Sequence, residues 1–271
     1  MRRHFFPAEN LTAVLTGYFD ESYNHRTQKN PGDPLVYTVG CWLSTAQKWL
    51  LFGKKWRFAL NKAGIDFFHM TDFEARRDEY ELWSNSKRIS VLKELHRVIK
   101  DHVVFGCSSS VVCADYDAVI ATLPQYAHYF GKSYYEFNAR VCMHKLKDWY
   151  KERGYEGTVH YVFADLAGQG AALDRMFREA LSHPEVKKRF RLSGMWAKGR
   201  MREVVQLQAA DVVTYELNKR VVDELKASQM GERHIRKSLE NLNLSKNFAP
   251  LYFNREELEK MAVKSFIGLT I

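Results

Sequence analysis

Long apolar runs are missing from this chain. The longest are short and broken by charge, far below the roughly 20 residues that a membrane span requires, so neither a transmembrane helix nor a membrane partner is expected. The opening Met1-Arg2-Arg3-His4-Phe5-Phe6-Pro7 is basic, with no apolar stretch of signal-peptide length behind it, which makes a cytoplasmic protein the expectation. Cysteine is scarce. Cys41, Cys107, Cys113 and Cys142 form no C-x-x-C pair, so a zinc ribbon or thioredoxin-like site is unsupported. Each lies in an apolar segment and reads as a buried free thiol. There is no G-x-S-x-G elbow and no cysteine with an evident histidine partner, which removes support for a serine or cysteine hydrolase. Repeats, low-complexity tracts and Pro/Gly/Ser-rich linkers are also missing. The 271 residues therefore read as one domain, with a core over about 11–222 and a C-terminal extension over about 223–271.

What is present is an ordinary globular composition, 46% apolar and 14% aromatic, with the aromatics spread along the whole chain, which argues against disorder. The net charge is +9 and the pI about 9.3, a balance that favours polyanionic partners such as nucleic acid without choosing DNA or RNA. Oligomeric state is not legible.

The pattern predicts a strand over Leu11–Asp20, a turn-rich Asn24–Pro34 and a second strand over Leu35–Leu43, together a hairpin. Ser44 is the expected N-cap of a helix that runs to Ala63 and stops at Gly64. Asp66–Ser84 reads as irregular. A helix over Lys87–Lys100, a strand over Val103–Val112, a helix over Ser133–Arg153 and a strand over Thr158–Ala164 follow. Then come a helix over Ala171–Leu181, a strand over Arg191–Ala197 and a helix over Arg202–Val222, apolar on all sides and so expected between layers. The remainder reads as short helices. This order predicts an α/β fold: a ribonuclease H-like mixed sheet flanked by helices, with a helical insertion after the second strand and a helical C-terminal tail.

Three aspartates stand where such a fold does chemistry. The first strand closes on Phe19-Asp20-Glu21-Ser22, and alternation puts Asp20 on one face and Glu21 on the other. The fourth closes on Phe163-Ala164-Asp165. If the two strands are parallel neighbours, Asp20 and Asp165 approach each other, and carboxylates that close repel unless a cation intervenes. Asp211 lies in the apolar helix, where an ionised group needs a partner: a metal, a backbone group or a lysine. Gln208, three residues before it, faces the same way. Carboxylate oxygens suit Mg2+ or Mn2+. The Gly168-Gln169-Gly170 loop reads as an ordinary turn or as room for a ligand. Asp72 and Glu74 are further acids near this set, and Glu203 reads as a first-turn acid.

Three short motifs resemble a bacterial family called domain of unknown function 3800 (DUF3800). Tyr18-Phe19-Asp20-Glu21-Ser22 resembles its opening strand, Phe68-His69-x-x-Asp72 its histidine segment, and Leu207-Gln208-Ala209-Ala210-Asp211 its late Leu-Gln-x-Ala-Asp motif. The resemblance spans about residues 13–220. The family usually carries a glycine soon after Asp-Glu-Ser, where this chain has Tyr23 and Asn24. The resemblance implies a ribonuclease H-like fold with Asp20, Asp165 and Asp211 as metal ligands.

Two basic stretches, Lys187–Arg191 and the run holding Lys198, Arg200 and Arg202, interleave aromatics and suit either a nucleic-acid backbone or a solvated face. The leading expectation is a divalent-metal-dependent nuclease or related phosphoryl-transfer enzyme. Asp20 would bridge two ions, with Asp165 and Asp211 holding one each. Glu21 and His69 would be catalytic, His69 by orienting water or binding phosphate. Gln208, Lys198, Arg200 and Arg202 would bind substrate. The alternative is a non-catalytic nucleic-acid-binding or protein-interaction module on the same fold.

Overall fold

A computed structural model describes residues 14–24, 32–165, 168–230 and 247–268. The start of the expected first strand at Leu11, most of the Asn24–Pro34 turn and the stretch 231–246 lie outside these residues. β1 (Leu15–Tyr23) pairs antiparallel with β2 (Val36–Thr45), from Leu15↔Thr45 to Tyr23↔Tyr37. Asn24 ties the hairpin's base: its amide donates to the Pro34 carbonyl at 2.8 Å and accepts from the Val36 N–H at 2.8 Å.

The helical insertion follows β2. In α1 (Ala46–Ala63) the N-cap is Thr45, one residue beyond the expected Ser44: the Thr45 hydroxyl accepts from the Lys48 N–H, while Ser44 stays in the strand and donates to the His102 carbonyl. Gly64 ends the helix at φ 79°, a conformation glycine adopts without strain. The stretch expected to be irregular folds into α2 (Met70–Ala75) and a 3-10 turn (Asp78–Tyr80), and α3 (Asn85–His102) completes the insertion. β3 (Phe105–Val112) then adds antiparallel to β2.

After α4 (Cys113–Thr122) and α5 (Ala127–Phe130) comes α6 (Tyr134–Glu152), capped by Ser133. β4 (Val159–Ala164) pairs parallel with β1, from Leu15↔Val159 to Phe19↔Phe163. α7 (Gly170–Ser182) and α8 (Pro184–Arg189) lead to β5 (Ala197–Gly199), parallel to β4. The expected strand over Arg191–Ala197 is thereby displaced. Leu192 bridges Val159 and Ala197 pairs with Val162, so five steps of this segment (197 − 192) span three of β4 (162 − 159), and the excess bulges out of the ladder.

α9 (Val205–Met230) follows, then β6 (Phe248–Phe253) and α10 (Arg255–Gly268). β6 corrects the expectation of a purely helical tail, because it adds parallel to β3 at the sheet's edge. Pro250 sits inside it. A proline argues against a strand in sequence but is tolerated at an edge, where one ladder position needs no donor.

The strand order is β5-β4-β1-β2-β3-β6. Antiparallel β1, β2 and β3, with β4 and β5 parallel to β1 beyond it, form the ribonuclease H-like mixed sheet. Both faces are covered. Phe19, Cys41, Leu146, Phe163 and Phe177 pack beneath α6 and α7. Trp42, Phe52, Trp56, Phe68 and Val213 pack beneath α1, α2, α3 and α9. Full burial of each such side chain contributes roughly 1.5–3 kcal/mol. α9 is buried nearly without break from Val205 to Leu217, polar residues included. Those polar groups stitch it to the hairpin: the Trp42 indole donates to the Ala209 carbonyl, and the Asn218 amide donates to the carbonyls of Ser22 and Val36. Gly40, opposite Asp20 in the register, permits this approach, since a Cβ there would stand 2.5 Å from the Thr214 hydroxyl. No helix among the described residues is long and apolar enough to cross a membrane.

Candidate acidic centre

β1 runs past Asp20 to Tyr23, whereas β4 stops at Ala164. Asp20 and Glu21 therefore sit where β1 loses its neighbour, at the rim of the sheet. The Thr214 hydroxyl reaches toward the Asp20 carbonyl at 3.5 Å, which puts this rim directly under α9. Asp20 and Asp211 are both 4% exposed.

The electrostatics of this group are those of crowded carboxylates. Burial, then the charges of Glu21 and Asp211, raise Asp20 well above the usual carboxylate range, against a hydrogen bond from the Glu21 N–H. Burial and Asp211 push Glu21 up to about 8. Burial pushes Asp211 up to about 6, opposed by His69 and by the Met70 N–H, which donates to its carboxylate at 2.6 Å. The Glu21 Oε2 atom is shielded from solvent and has no hydrogen-bond partner among the described residues. Glu21 leaves β1 on the α6 side, where its charge also raises the buried hydroxyls of Tyr37 and Tyr135.

His69 precedes α2 and joins the same group. Its Nδ1 lies 2.6 Å from the Asp72 carboxylate. A carboxylate only accepts, so the proton sits on Nδ1 and Nε2 is left for another partner. Arg77 holds the other Asp72 oxygen at 2.9 Å. The loop is fastened from two sides. The Tyr80 hydroxyl donates to the Phe67 carbonyl and accepts from the His69 N–H. The Gln208 amide oxygen accepts from the Trp56 indole at 2.8 Å and the Phe68 N–H at 3.1 Å, while its nitrogen donates to the Met201 carbonyl. Gln208, expected to bind substrate, is fully buried and committed to these three bonds; it positions the His69 loop.

The other expected site residues divide. Asp165 is not brought into the acidic group. It lies one residue beyond β4, is exposed where Asp20 and Asp211 are buried, and its carboxylate pairs with Lys198 at 3.1 Å. Arg200 is exposed and faces Glu203 at 3.7 Å. Arg202 does border the centre: its guanidinium lies 4.2 Å over the Phe67 ring, which stacks beside His69. Phe67, Tyr80 and Asp72 are the contributors that sequence reasoning left out or ranked low. The three-residue spacing of His69 and Asp72 at a helix start was the one available signal.

The donor set fits a hard divalent cation. It is all oxygen, two of its three carboxylates are buried, and it includes one orphaned carboxylate oxygen, that of Glu21. Among the described residues, no three His, Cys, Asp or Glu side chains are already gathered around one point as a bound metal would hold them.

No protein-family model and no curated protein matches the chain. Among solved structures it is similar to a Bst RNase HIII crystallised in complex with Mn2+, with a TM-score of 0.39 and 12% identity, covering 93% of this chain and 67% of that one.

Proposed function

We propose that this chain is a divalent-cation-dependent nuclease, or a related phosphoryl-transfer enzyme on nucleic acid, and that it belongs with the DUF3800 proteins its motifs resemble. The observation that carries this reading is the trio of buried Asp20 and Asp211 with half-buried Glu21: burial raises all three, and the charge of Asp211 raises Asp20 and Glu21 further. Repulsion among ionised carboxylates opposes their convergence until a cation offsets it. Mg2+ or Mn2+ held by Asp20, Asp211 and Glu21 would supply Lewis acidity toward a phosphodiester. His69, oriented by Asp72, offers Nε2 to a proton in transit. Arg202 and Phe67 offer a cation and a ring face at the mouth of the site, the pairing that a nucleic-acid strand uses.

The second reading, a binding module without chemistry, is favoured by the ungathered side chains and by the Asp165–Lys198 pair. End-labelled DNA, RNA and hybrid substrates incubated with Mn2+ separate the two. The enzyme reading expects cleavage that chelation stops and that Asp20→Asn and Asp211→Asn each reduce at least about a hundredfold, a loss typical for groups stabilising transition-state charge. Undiminished binding without cleavage of any substrate would leave the module.

A further inference from the structure

We propose that the basic cavity at the far end of β4 is a second nucleic-acid contact, a pocket for backbone phosphates of the strand engaged at the acidic centre; this rests on the nucleic-acid reading above. The cavity, about 650 Å³, opens between the end of α6, the start of β4 and α8. Its walls carry Lys147, Lys151, Lys188, Arg189 and Arg191, against the carboxylates of Glu156 and Glu185. Lys147 faces Asp148 at 3.2 Å, whereas Lys151, Lys188 and Arg189 are exposed.

The floor is rigid. The Tyr150 hydroxyl donates to the Arg189 carbonyl, and the Tyr155 hydroxyl to the Thr158 carbonyl. The turn after α8 is set by two bonds, from the Arg191 N–H to the Lys188 carbonyl and from the Leu192 N–H to the Lys187 carbonyl. This closure puts Arg191 at φ 54°, a position that glycine fills at less cost. The chain carries an arginine there, and that arginine lines the cavity.

Geometry links the cavity to the acidic centre. Leu192 bridges Val159 at the start of β4, and Gly199 pairs with Ala164 at its end, beside Asp20's rim. Residues 188–202 thus run along the outer edge of β4, with cations at both ends. β4 spans about 17 Å at 3.3 Å per residue, or about five base pairs at 3.4 Å of duplex axis each. The cavity lies on the α6 face and Asp20 on the α9 face, so a duplex that lies along the β5 edge, where the two faces meet, would span both, and phosphates beyond the metal's reach would meet the distal cations. Such contacts position a substrate without reading its sequence.

Fluorescence anisotropy of a labelled duplex of about 20 base pairs, titrated at several salt concentrations, tests this through the log–log salt slope, which changes by about 0.9 per phosphate contact. K151A/K188A/R189A should flatten the slope by about two to three units and weaken binding to all sequences alike, with an unchanged melting temperature. Lys187→Ala, in the same run but not a wall of the cavity, should leave the slope in place. A parent that binds while the triple variant keeps its slope overturns the pocket and leaves the proposed function standing. Flattening by Lys187→Ala as large as the triple variant's share per residue, about 0.9, overturns it too, by reducing the effect to a diffuse field. A parent that binds no nucleic acid overturns both readings.

Discussion

At the scale of single residues, the acidic centre makes a signed statement about pH. Burial lifts Asp20, Glu21 and Asp211 above their ordinary values, helped at Asp20 and Glu21 by the charge of Asp211 and at Asp211 by Asp72, so the folded chain keeps protons that the unfolded chain releases above about pH 4. Their contribution to stability is full below that range. It is lost as pH rises through about 6 for Asp211 and about 8 for Glu21. Without divalent ions the melting temperature should therefore fall between pH 5 and pH 8.5, and Glu21→Gln, neutral throughout, should flatten the upper part of that fall. Thermal melts across pH give the answer; superimposable profiles would remove Glu21 from the titrating group. Gln208 makes a different prediction. Gln208→Ala would leave the Trp56 indole N–H and the Phe68 N–H buried without an acceptor, at about 1–3 kcal/mol for each orphaned group. Urea unfolding should show a total loss of about 2–6 kcal/mol. A loss within about 0.5 kcal/mol, the range of an exposed site, would mean that the loop is held by something else.

Among the elements, the contact between α9 and the β1–β2 hairpin decides where Asp211 meets Asp20. Gly40→Ala would drive a methyl group into the Thr214 hydroxyl, costing about 1–3 kcal/mol as overpacking. Thr214→Ala in the same chain should recover part of it, and a double-mutant cycle in urea measures the coupling. Strictly additive losses would show that the two residues do not meet. The same contact explains what could be read in advance. α9 was legible because apolar residues on every side of a helix leave it only the interior, and the hairpin because alternating strands flank a turn-rich stretch. β5 was misplaced because Arg191–Trp196 has strand-like residues but bulges from the ladder. β6 was missed because Pro250 disguises an edge strand. α2 was missed because six residues give no helical period.

For the whole molecule, the ribonuclease H-like sheet was legible from element order alone, while the membership of the site was not. Asp20, Glu21, His69 and Asp211 could be nominated from residue type and position. Asp165 could not be placed against them without the end of β4, which stops at Ala164 and leaves Asp165 one residue beyond the strand. Nor could the sequence pair Asp165 with Lys198, a contact made only when β5 lies beside β4. The fold thus gathers a carboxylate centre with a cation-bearing edge beside it, and binding of a divalent ion at that centre is its central expected property. The most direct measurement is the melting temperature in a Mn2+ titration near neutral pH, for the parent chain and for Asp20→Asn. Mass action predicts about 2.7 kcal/mol at a hundredfold excess over Kd, or roughly 5–10 °C for a domain of this size, with most of the rise lost in the variant. An equal rise in both chains, or none in either, would contradict a metal site at Asp20.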